Sequence, residues 1–263
     1  MDKIQLVNIT KSYQELPVLE DFTLSLPHKE ITCIVGPSGC GKTTLLNILA
    51  GLEVQDKGQV RNLDKDLISY VFQEPRLLPW KTAEDNLKFV LRDKVAPLKL
   101  DHYVKEWLDK VELLPFKDYY PRQMSGGMMQ RLALARAFAL PSDVLLMDEP
   151  FKGLDAPLRH KMLELTRKLW GEENKTIIFV THDIQESLLI GHRVIALSTR
   201  PARILDDIKV DIAVRDRKIG CVKLARVEGY LYDLIEHGSL GLSNCPRITQ
   251  IKERYYDSHQ CKA

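Results

Sequence analysis

The sequence has few cysteines, no long apolar segment and almost no net charge, and each shortage argues against a class of protein. Its five cysteines include no pair at Cys-x-x-Cys spacing, which argues against a disulfide framework and a zinc site. The densest apolar runs have the length of strands, far below the ~18 residues of a membrane-spanning helix. The net charge is +2, from 38 Lys and Arg against 36 Asp and Glu, so neither nucleic acid nor an anionic bilayer is favoured as the main partner.

The beginning of the chain and its bulk composition favour a cytosolic enzyme. The first five residues, Met1–Gln5, do not form a basic region followed by an apolar stretch, so we expect no signal peptide. Hydrophobic residues make up 44% and charged residues 28%, which is ordinary for a soluble globular protein. The 263 residues correspond to one large domain or about one and a half.

Short apolar runs alternate with helical patterns over most of the chain, which is typical of a parallel sheet covered on both faces. The runs predicted as strands are Ile4–Ile9 (followed by a polar turn at Lys11-Ser12), Phe22–Leu26, Ile31–Val35, Leu67–Phe72, Val144–Met147, Thr176–Thr181 and Val194–Leu197. Helices are predicted at Thr43–Ala50, Asp101–Leu114, Leu132–Leu140, Leu158–Trp170 and Ile184–Leu189. The largely helical stretch at about 82–140 is predicted to be a subdomain inserted into the sheet.

The segment Gly36-Pro37-Ser38-Gly39-Cys40-Gly41-Lys42-Thr43 matches G-x-x-x-x-G-K-[ST] at every fixed position. Its glycines allow backbone N–H groups to approach a polyphosphate, and the following helix presents its positive end to the same anion. Lys42 is expected to reach the β- and γ-phosphates and Thr43 to ligate Mg²⁺. The alternative is a chance glycine-rich turn, but an apolar strand before the segment and a helix after it favour nucleoside triphosphate binding.

The second motif is a pair of acidic residues that follows an apolar strand. Val144–Met147 leads directly into Asp148 and Glu149. Asp148 is predicted to hold Mg²⁺ through water, and Glu149 is placed to orient or deprotonate an attacking water. Taken alone, such an acidic pair is often a solvated turn, so the prediction depends on the phosphate loop upstream.

Between these motifs lies Ser125-Gly126-Gly127, just before the predicted helix Leu132–Leu140. A hydroxyl and backbone N–H groups at a helix start form a second anion-binding device. A chain with two such devices resembles the nucleotide-binding subunit of ATP-binding cassette (ABC) transporters, whose signature Ser-Gly-Gly matches. The resemblance covers about residues 1–206 through six motifs in order. It implies a P-loop NTPase (RecA-like) α/β fold, with a mostly parallel sheet core, an N-terminal antiparallel β-subdomain and an inserted α-helical subdomain.

The resemblance also assigns roles to residues that would mean little alone. Tyr13 matches the aromatic that stacks on adenine, Gln73 the glutamine that contacts Mg²⁺, and His182 the switch histidine at the γ-phosphate. The residues implied to bind ATP are Tyr13, Gly36, Pro37, Ser38, Gly39, Cys40, Gly41, Lys42, Thr43, Thr44, Ser125, Gly126, Gly127 and Asp155, the last as the cross-dimer aspartate. The implied Mg²⁺ ligands are Thr43, Gln73 and Asp148, and the implied catalytic residues are Glu149, His182 and Gln73.

Three segments resemble the nitrate/sulfonate/taurine-type importers within that family. They are Met128 after the Ser-Gly-Gly, the run 72–80 (Phe-Gln-Glu-Pro-Arg-Leu-Leu-Pro-Trp), and Thr199–Ile204. The implied solute is a small anion such as nitrate, sulfonate or taurine, or a related solute. Three departures stand against the match: Gly58–Ile68 is short, Met129 occupies an often basic position, and the likeness fades beyond about Leu205.

The resemblance implies a mechanism in which two copies of the chain enclose two ATP molecules head to tail, at the cytoplasmic face of the membrane. A separate permease, and indirectly a solute-binding protein, would use the motion, with Glu74–Trp80 as the docking surface. The alternative for Leu77, Leu78 and Trp80 is that they fill a junction between subdomains. Two other functions stay open: an ABC-type ATPase acting on a soluble partner, and a P-loop module that regulates a partner with little hydrolysis.

Two further expectations concern a cysteine and the tail. Cys40 is interpreted as a small filler of the phosphate loop rather than a nucleophile. Residues 207–263 are predicted to be an extension of unknown role beyond the ATPase domain at 1–206. Val227, Tyr230, Leu231 and Leu234 share one face of a predicted helix there, which we expect to pack on the body or across the dimer.

Overall fold

The structure, a computed structural model, describes residues 3–213, 216–218 and 220–238. The described residues form two compact units, one from those up to Leu63 together with those from Ile178 onwards, and one from Asp64–Ile177. The strands are β1 (Ile4–Tyr13), β2 (Leu16–Leu26), β3 (Ile31–Val35), β4 (Lys57–Arg61), β5 (Ile68–Val71), β6 (Val144–Asp148), β7 (Thr176–Thr181), β8 (Arg193–Leu197) and β9 (Ile204–Lys209). The helices are α1 (Lys42–Ala50), α2 (Ala83–Leu91), α3 (Pro97–Lys110), α4 (Gly126–Ala139), α5 (Ala156–Glu173), α6 (Ile184–Ile190) and α7 (Val222–Gly238).

The first unit begins with an antiparallel sheet in the order β2-β1-β4. The predicted turn at Lys11-Ser12 is wrong, since both residues lie within β1 and the chain turns after Tyr13. Within the strand, both residues have polar partners: the Lys11 ammonium lies 2.8 Å from the Glu53 carboxylate, and the Ser12 backbone N–H donates to Asp56 at 2.7 Å. The two strands therefore run further towards the hairpin than their apolar residues indicate.

The same unit holds a second set of strands around β3, which is buried along its whole length. β3 pairs in parallel with β8, from Thr32 opposite Arg193 to Val35 opposite Ala196, and β8 pairs antiparallel with β9. Sequence reasoning missed β4 and β9 because their charged, largely exposed residues show no apolar run. This arrangement brings the loops after β3 and β8 to one edge.

In the second unit, β5 and β6 form a parallel pair with Ile68 opposite Val144 and Val71 opposite Met147. β5 is shorter than the predicted strand 67–72, because Leu67 ends a 3₁₀ turn capped by Asp64 and Phe72 lies past the strand. Helices α2, α3 and α4 pack together around buried residues of α3 such as Trp107.

Helix α3 begins and ends four residues earlier than the predicted helix 101–114. Pro97 lies in its first turn, where a missing N–H costs nothing. Glu112 adopts a left-handed backbone, φ 57°, and a 3₁₀ turn at Leu114–Phe116 follows. These two features stop the helix although the apolar spacing continues.

Helix α7 confirms the helix predicted in the extension, although residues 239–263 lie outside the described part of the chain. Tyr230, Leu231 and Leu234 are buried where α7 packs on α6, β8 and β9 of the first unit. The Tyr230 hydroxyl also donates to the Asp206 carboxylate at 2.6 Å. Within the described residues, none of the helices combines the length and the hydropathy required to cross a membrane.

Candidate nucleotide-binding site

The phosphate loop is built from β3, six loop residues and the start of α1. Gly39 and Gly41 have positive φ, 76° and 116°, a conformation that only glycine adopts readily. Around Gly41 there is no space for a side chain, since an added Cβ would lie 2.8 Å from Val18 Cγ1. At Gly36, an added Cβ would likewise lie 2.9 Å from the Leu197 carbonyl oxygen. The glycines therefore fix the loop backbone that the motif requires.

The side chain of Lys42 is folded back onto this loop. Its ammonium donates to the carbonyl oxygens of Gly36 at 2.8 Å and Pro37 at 2.9 Å, and the residue is 4% exposed. The N-cap of α1 is Gly41, so no side chain accepts a hydrogen bond from the first backbone N–H groups of this helix. A bound phosphate would compete with two neutral carbonyls for a buried cation, and charge-assisted hydrogen bonds are the stronger kind.

Ser38, Gly39 and Thr43 are the exposed members of the predicted ATP set in this loop, and Thr44 is half-buried. Cys40 is buried, which agrees with a space-filling role. Burial raises the pKa of its thiol, although Lys42 opposes the shift.

Tyr13 lies at the end of β1 with 43% of its surface exposed. The Lys11 ammonium stands 5.3 Å from the centroid of its ring. Lys11 is itself fixed by Glu53 and by the Val54 carbonyl, each at 2.8 Å. The ring is thus held next to a cation while offering area for stacking.

His182 is exposed directly after β7, between two residues that are tightly bonded. The Thr181 hydroxyl donates to the Glu186 carboxylate at 2.6 Å, and the Asp183 N–H donates to the Thr181 hydroxyl at 3.0 Å. Asp183 caps α6 by accepting from the Glu186 N–H at 3.1 Å. This closed network fixes the backbone on both sides of the histidine.

In the second unit, the pairing of β5 with β6 brings Gln73 and Asp148 to the same edge of the strand pair. Asp148 is 9% exposed, whereas Gln73 is exposed two residues beyond β5. Burial raises the pKa of Tyr70 most, the charge of Asp148 and a hydrogen bond to it raise it further, and the charge of Arg76 opposes them. Tyr70 is thus a partner of the predicted metal-binding carboxylate.

Glu149 follows with a left-handed backbone, φ 41°, which is uncommon outside glycine. Its carboxylate lies 2.8 Å from the Lys152 ammonium, and its carbonyl accepts from the Lys152 N–H at 3.2 Å. Gln130, 4% exposed on α4, donates its side-chain amide to the Pro150 carbonyl. The candidate base therefore sits in a turn that is held from outside the motif.

Ser125 caps α4, accepting from the Met128 N–H at 3.3 Å, and is exposed together with Gly126. In the described part of the chain, a Cβ added at Gly126 would have no atom within 4 Å apart from its chain neighbours and the backbone of its own helix, so the start of this helix is open. At Gly127, by contrast, an added Cβ would lie 3.0 Å from the Leu158 side chain. The second glycine of the signature thus serves close packing against α5.

Asp155 caps α5, with its carboxylate accepting from the Leu158 N–H at 2.8 Å. An N-cap of this kind stabilises a helix by about 1 kcal/mol, which is sufficient reason for the residue's presence. Its predicted contact across a dimer stays a prediction.

The predicted magnesium ligands supply a hydroxyl, an amide oxygen and a carboxylate, at Thr43, Gln73 and Asp148. These are the hard oxygen donors that Mg²⁺ prefers, and one or two protein oxygens with phosphates and water suffice. The described residues hold no cluster of three or more His, Cys, Asp or Glu. By their chemistry, these three residue types therefore fit Mg²⁺.

The comparisons with known proteins agree with this geometry. Residues 19–152 match the family model described as ABC transporter. The chain belongs to the ABC transporter family. An aliphatic sulfonates import ATP-binding protein of Pseudomonas savastanoi pv. phaseolicola is 41% identical over 209 residues, covering 79% of this chain and 86% of the relative. A taurine import ATP-binding protein of Escherichia coli O157:H7 is 38% identical over 222 residues, with 81% and 86% covered.

A solved structure confirms the predicted fold. It is described as the dimeric post-hydrolysis state of the ATP-binding cassette MJ0796 bound to ADP and Pi. This ABC protein matches it with a TM-score of 0.69 and 32% identity, over 80% of this chain and all of that one. The P-loop α/β fold and the ATPase activity of the family therefore hold for this chain.

Alkylation of Cys40 is expected to abolish ATP binding by this ABC ATPase. Its Sγ lies 3.9 Å from the Lys42 ammonium, so a maleimide adduct would fill the space of the lysine and the phosphates. Because burial raises the thiol pKa, the reaction should be slow at neutral pH and accelerate as the pH rises. The measurement is nucleotide affinity after N-ethylmaleimide treatment, with and without protecting ATP.

Treated Cys40→Ser protein is the matched control, because Cys33 and Cys221 remain as free thiols. It should retain full ATP affinity. Wild-type protein that binds ATP normally after complete modification of Cys40 would contradict the placement of this thiol.

Proposed function

We propose that the chain is the ATP-hydrolysing subunit of an ABC importer for a small anion such as nitrate, a sulfonate or taurine, or a related solute. The observation that carries the proposal is the similarity to sulfonate and taurine import ATP-binding proteins over about four-fifths of the chain. The residues predicted to handle ATP, from the phosphate loop to Glu149 and His182, support it.

In this proposal the phosphate loop binds the triphosphate and Tyr13 stacks on the adenine. Base–aromatic stacking contributes about 1–3 kcal/mol and needs only an open ring face. Lys42 leaves its two carbonyl acceptors and contacts the β- and γ-phosphates. Phosphoryl transfer needs little covalent chemistry from the protein, so positioning and charge neutralisation carry most of the rate.

Thr43, Gln73 and Asp148 are the proposed holders of Mg²⁺, with Tyr70 fixing the Asp148 carboxylate. The ion, when bound, neutralises charge on the phosphates. Glu149 takes the proton of the attacking water, and His182 orients the water and the γ-phosphate.

Each chain supplies one half of each site in the proposed dimer. Ser125 and the open helix start at Gly126 face the γ-phosphate held by a second copy, where backbone N–H groups and the helix dipole favour an anion. ATP then bridges the two chains, and hydrolysis removes the bridging contacts. The dimer would open and close as a ligand-driven shift between two states.

A permease supplies the membrane path in this proposal, and the chain lies at the cytoplasmic face of the membrane. The proposed docking surface is Glu74–Trp80, which exposes 71% of Trp80. The surface is rigid because the buried Asn86 accepts from the Leu78 N–H at 2.9 Å and donates to carbonyls including that of Lys81 at 3.1 Å. A fixed, partly apolar segment suits a partner helix.

Trp80→Ala is expected to leave the ATPase activity of the isolated chain unchanged and to lose most of its stimulation by the permease. Truncating a central aromatic at an interface typically costs 2 kcal/mol or more, about a thirtyfold loss of affinity. The measurement is ATP hydrolysis with and without permease reconstituted in vesicles, together with uptake of the solute.

Val222→Ala is the control, since Val222 is also largely exposed (67%) but lies on α7. It should behave like wild type in both assays. Normal stimulation of Trp80→Ala would remove the segment from the docking surface, and an absence of stimulation in wild type by any permease would favour the alternative, an ABC-type ATPase with a soluble partner.

A further inference from the structure

We propose that Gln130 is a positioning residue that couples Ser125, at the start of α4, to Glu149 of the same chain. The inference rests on the proposed ATP-bridged dimer, in which Ser125 contacts the nucleotide of the second copy. Under this assignment, occupancy of one ATP site controls the arrangement of the base that serves the other site.

The first step is the position of Gln130 on the signature helix. Ser125 caps α4, and Gln130 lies five residues later, about 7 Å along the axis. Between them Gly127 packs against Leu158 of α5, so this end of the helix is a closely packed element. A displacement at Ser125 is therefore passed on to Gln130 rather than absorbed by a loose segment.

The second step is the contact that Gln130 makes. Its side-chain amide donates to the carbonyl of Pro150, the residue directly after the candidate base. Gln130 is buried, and leaving a buried carbonyl without its hydrogen-bond donor is strongly unfavourable. We therefore expect the turn to move with α4, because this hydrogen bond would otherwise be lost.

The third step concerns the turn from Glu149 to Lys152, whose internal contacts make it move as one body. The Lys152 N–H donates to the Glu149 carbonyl at 3.2 Å, and the Lys152 ammonium lies 2.8 Å from the Glu149 carboxylate. The left-handed backbone at Glu149, φ 41°, is a conformation that surrounding contacts must hold. Gln130 supplies a direct side-chain contact between this turn and the helix that carries Ser125.

Gln130→Met tests the proposal, because it keeps the length of the side chain and removes the donor. We expect the Hill coefficient for ATP hydrolysis to fall from about 2 towards 1, since coupling between two sites is what that coefficient reports. We expect kcat to fall roughly ten- to a hundredfold from the displaced turn. ATP affinity of the isolated chain should stay unchanged, because Gln130 does not belong to the phosphate loop.

Two additional variants separate coupling from stability. Thr166→Val removes a buried side-chain hydrogen bond of the same unit, 2.8 Å to the Met162 carbonyl, away from the turn, and should keep the wild-type Hill coefficient at a similar loss of Tm. Gln130→Asn keeps the amide but is too short to reach Pro150. It should reproduce the loss seen in Gln130→Met even where the latter folds poorly.

A wild-type Hill coefficient in both Gln130 variants would overturn the proposal, as would an equal loss in Thr166→Val. A wild-type protein that neither dimerises with ATP nor hydrolyses it cooperatively would instead contradict the dimer of the proposed function. Light scattering on wild type with ATP distinguishes these two failures before any variant is measured.

Discussion

Glu149→Gln is expected to reduce steady-state ATP hydrolysis by about 10²–10⁴-fold while ATP still binds with wild-type affinity. The range is the usual contribution of a general base, and glutamine keeps the shape of the side chain but cannot accept the proton. The amide also loses the ion pair with Lys152. Neither change touches the phosphate loop, so binding should be retained.

The measurement combines phosphate release at saturating Mg-ATP with a separate binding titration. Glu164→Gln is the control, because Glu164 is an exposed glutamate of α5 (side chain 60% exposed), and it should hydrolyse ATP like wild type. Wild-type turnover in Glu149→Gln would show that another group serves as the base.

Ser125→Arg is the second variant with a large expected effect. An arginine at the open start of α4 would occupy the place of the partner's γ-phosphate, so hydrolysis should fall about 10²-fold or more, the scale for losing a preorganised donor to a developing anion. ATP binding to the single chain should persist, since Ser125 acts on the nucleotide of the second copy.

Stability must be measured alongside, because Ser125 also caps α4 and a lost cap costs about 1 kcal/mol. Ser125→Thr keeps both the hydroxyl and the cap and should retain most of the activity. Full hydrolysis by Ser125→Arg with unchanged Tm would contradict a role for the signature serine across an interface.

The sequence was sufficient for the parts of the site that depend on short, fixed spacing. The phosphate loop is a local device whose strand, glycines and lysine are consecutive, so its geometry could be predicted residue by residue. Thr176–Thr181 was predicted with the right bounds because a fully buried strand is apolar throughout. The mostly parallel core was predicted from such apolar runs, whereas the antiparallel β-sheet was predicted from the family resemblance alone.

The supporting contacts could not be predicted, because each joins residues that are distant in sequence. Gln130 reaches Pro150 20 residues away, and Lys11 reaches Val54 across 43. A single sequence carries no signal for such pairs. In the sequence, Tyr70 is an ordinary strand residue. Its interaction with Asp148 becomes apparent only when β5 and β6 are paired.

Two of the boundary errors lie where residues at the end of an element have a specific partner or backbone conformation. Lys11 and Ser12 look like a turn, but their side chain and backbone are satisfied by Glu53 and Asp56, so the strand continues. Val111 and Leu113 fit the helical spacing of α3, but the backbone at Glu112 is left-handed and the helix has already ended. In both places a specific partner or backbone conformation overrides the local pattern.

The most direct test of the account is light scattering coupled to gel filtration on Glu149→Gln, with and without Mg-ATP. The account predicts a monomer without nucleotide and a dimer with it, and no dimer when Ser125→Arg is added to the same chain. A protein that binds ATP tightly but remains monomeric, both alone and with its permease present, would contradict the ATP-bridged dimer on which the proposed function depends.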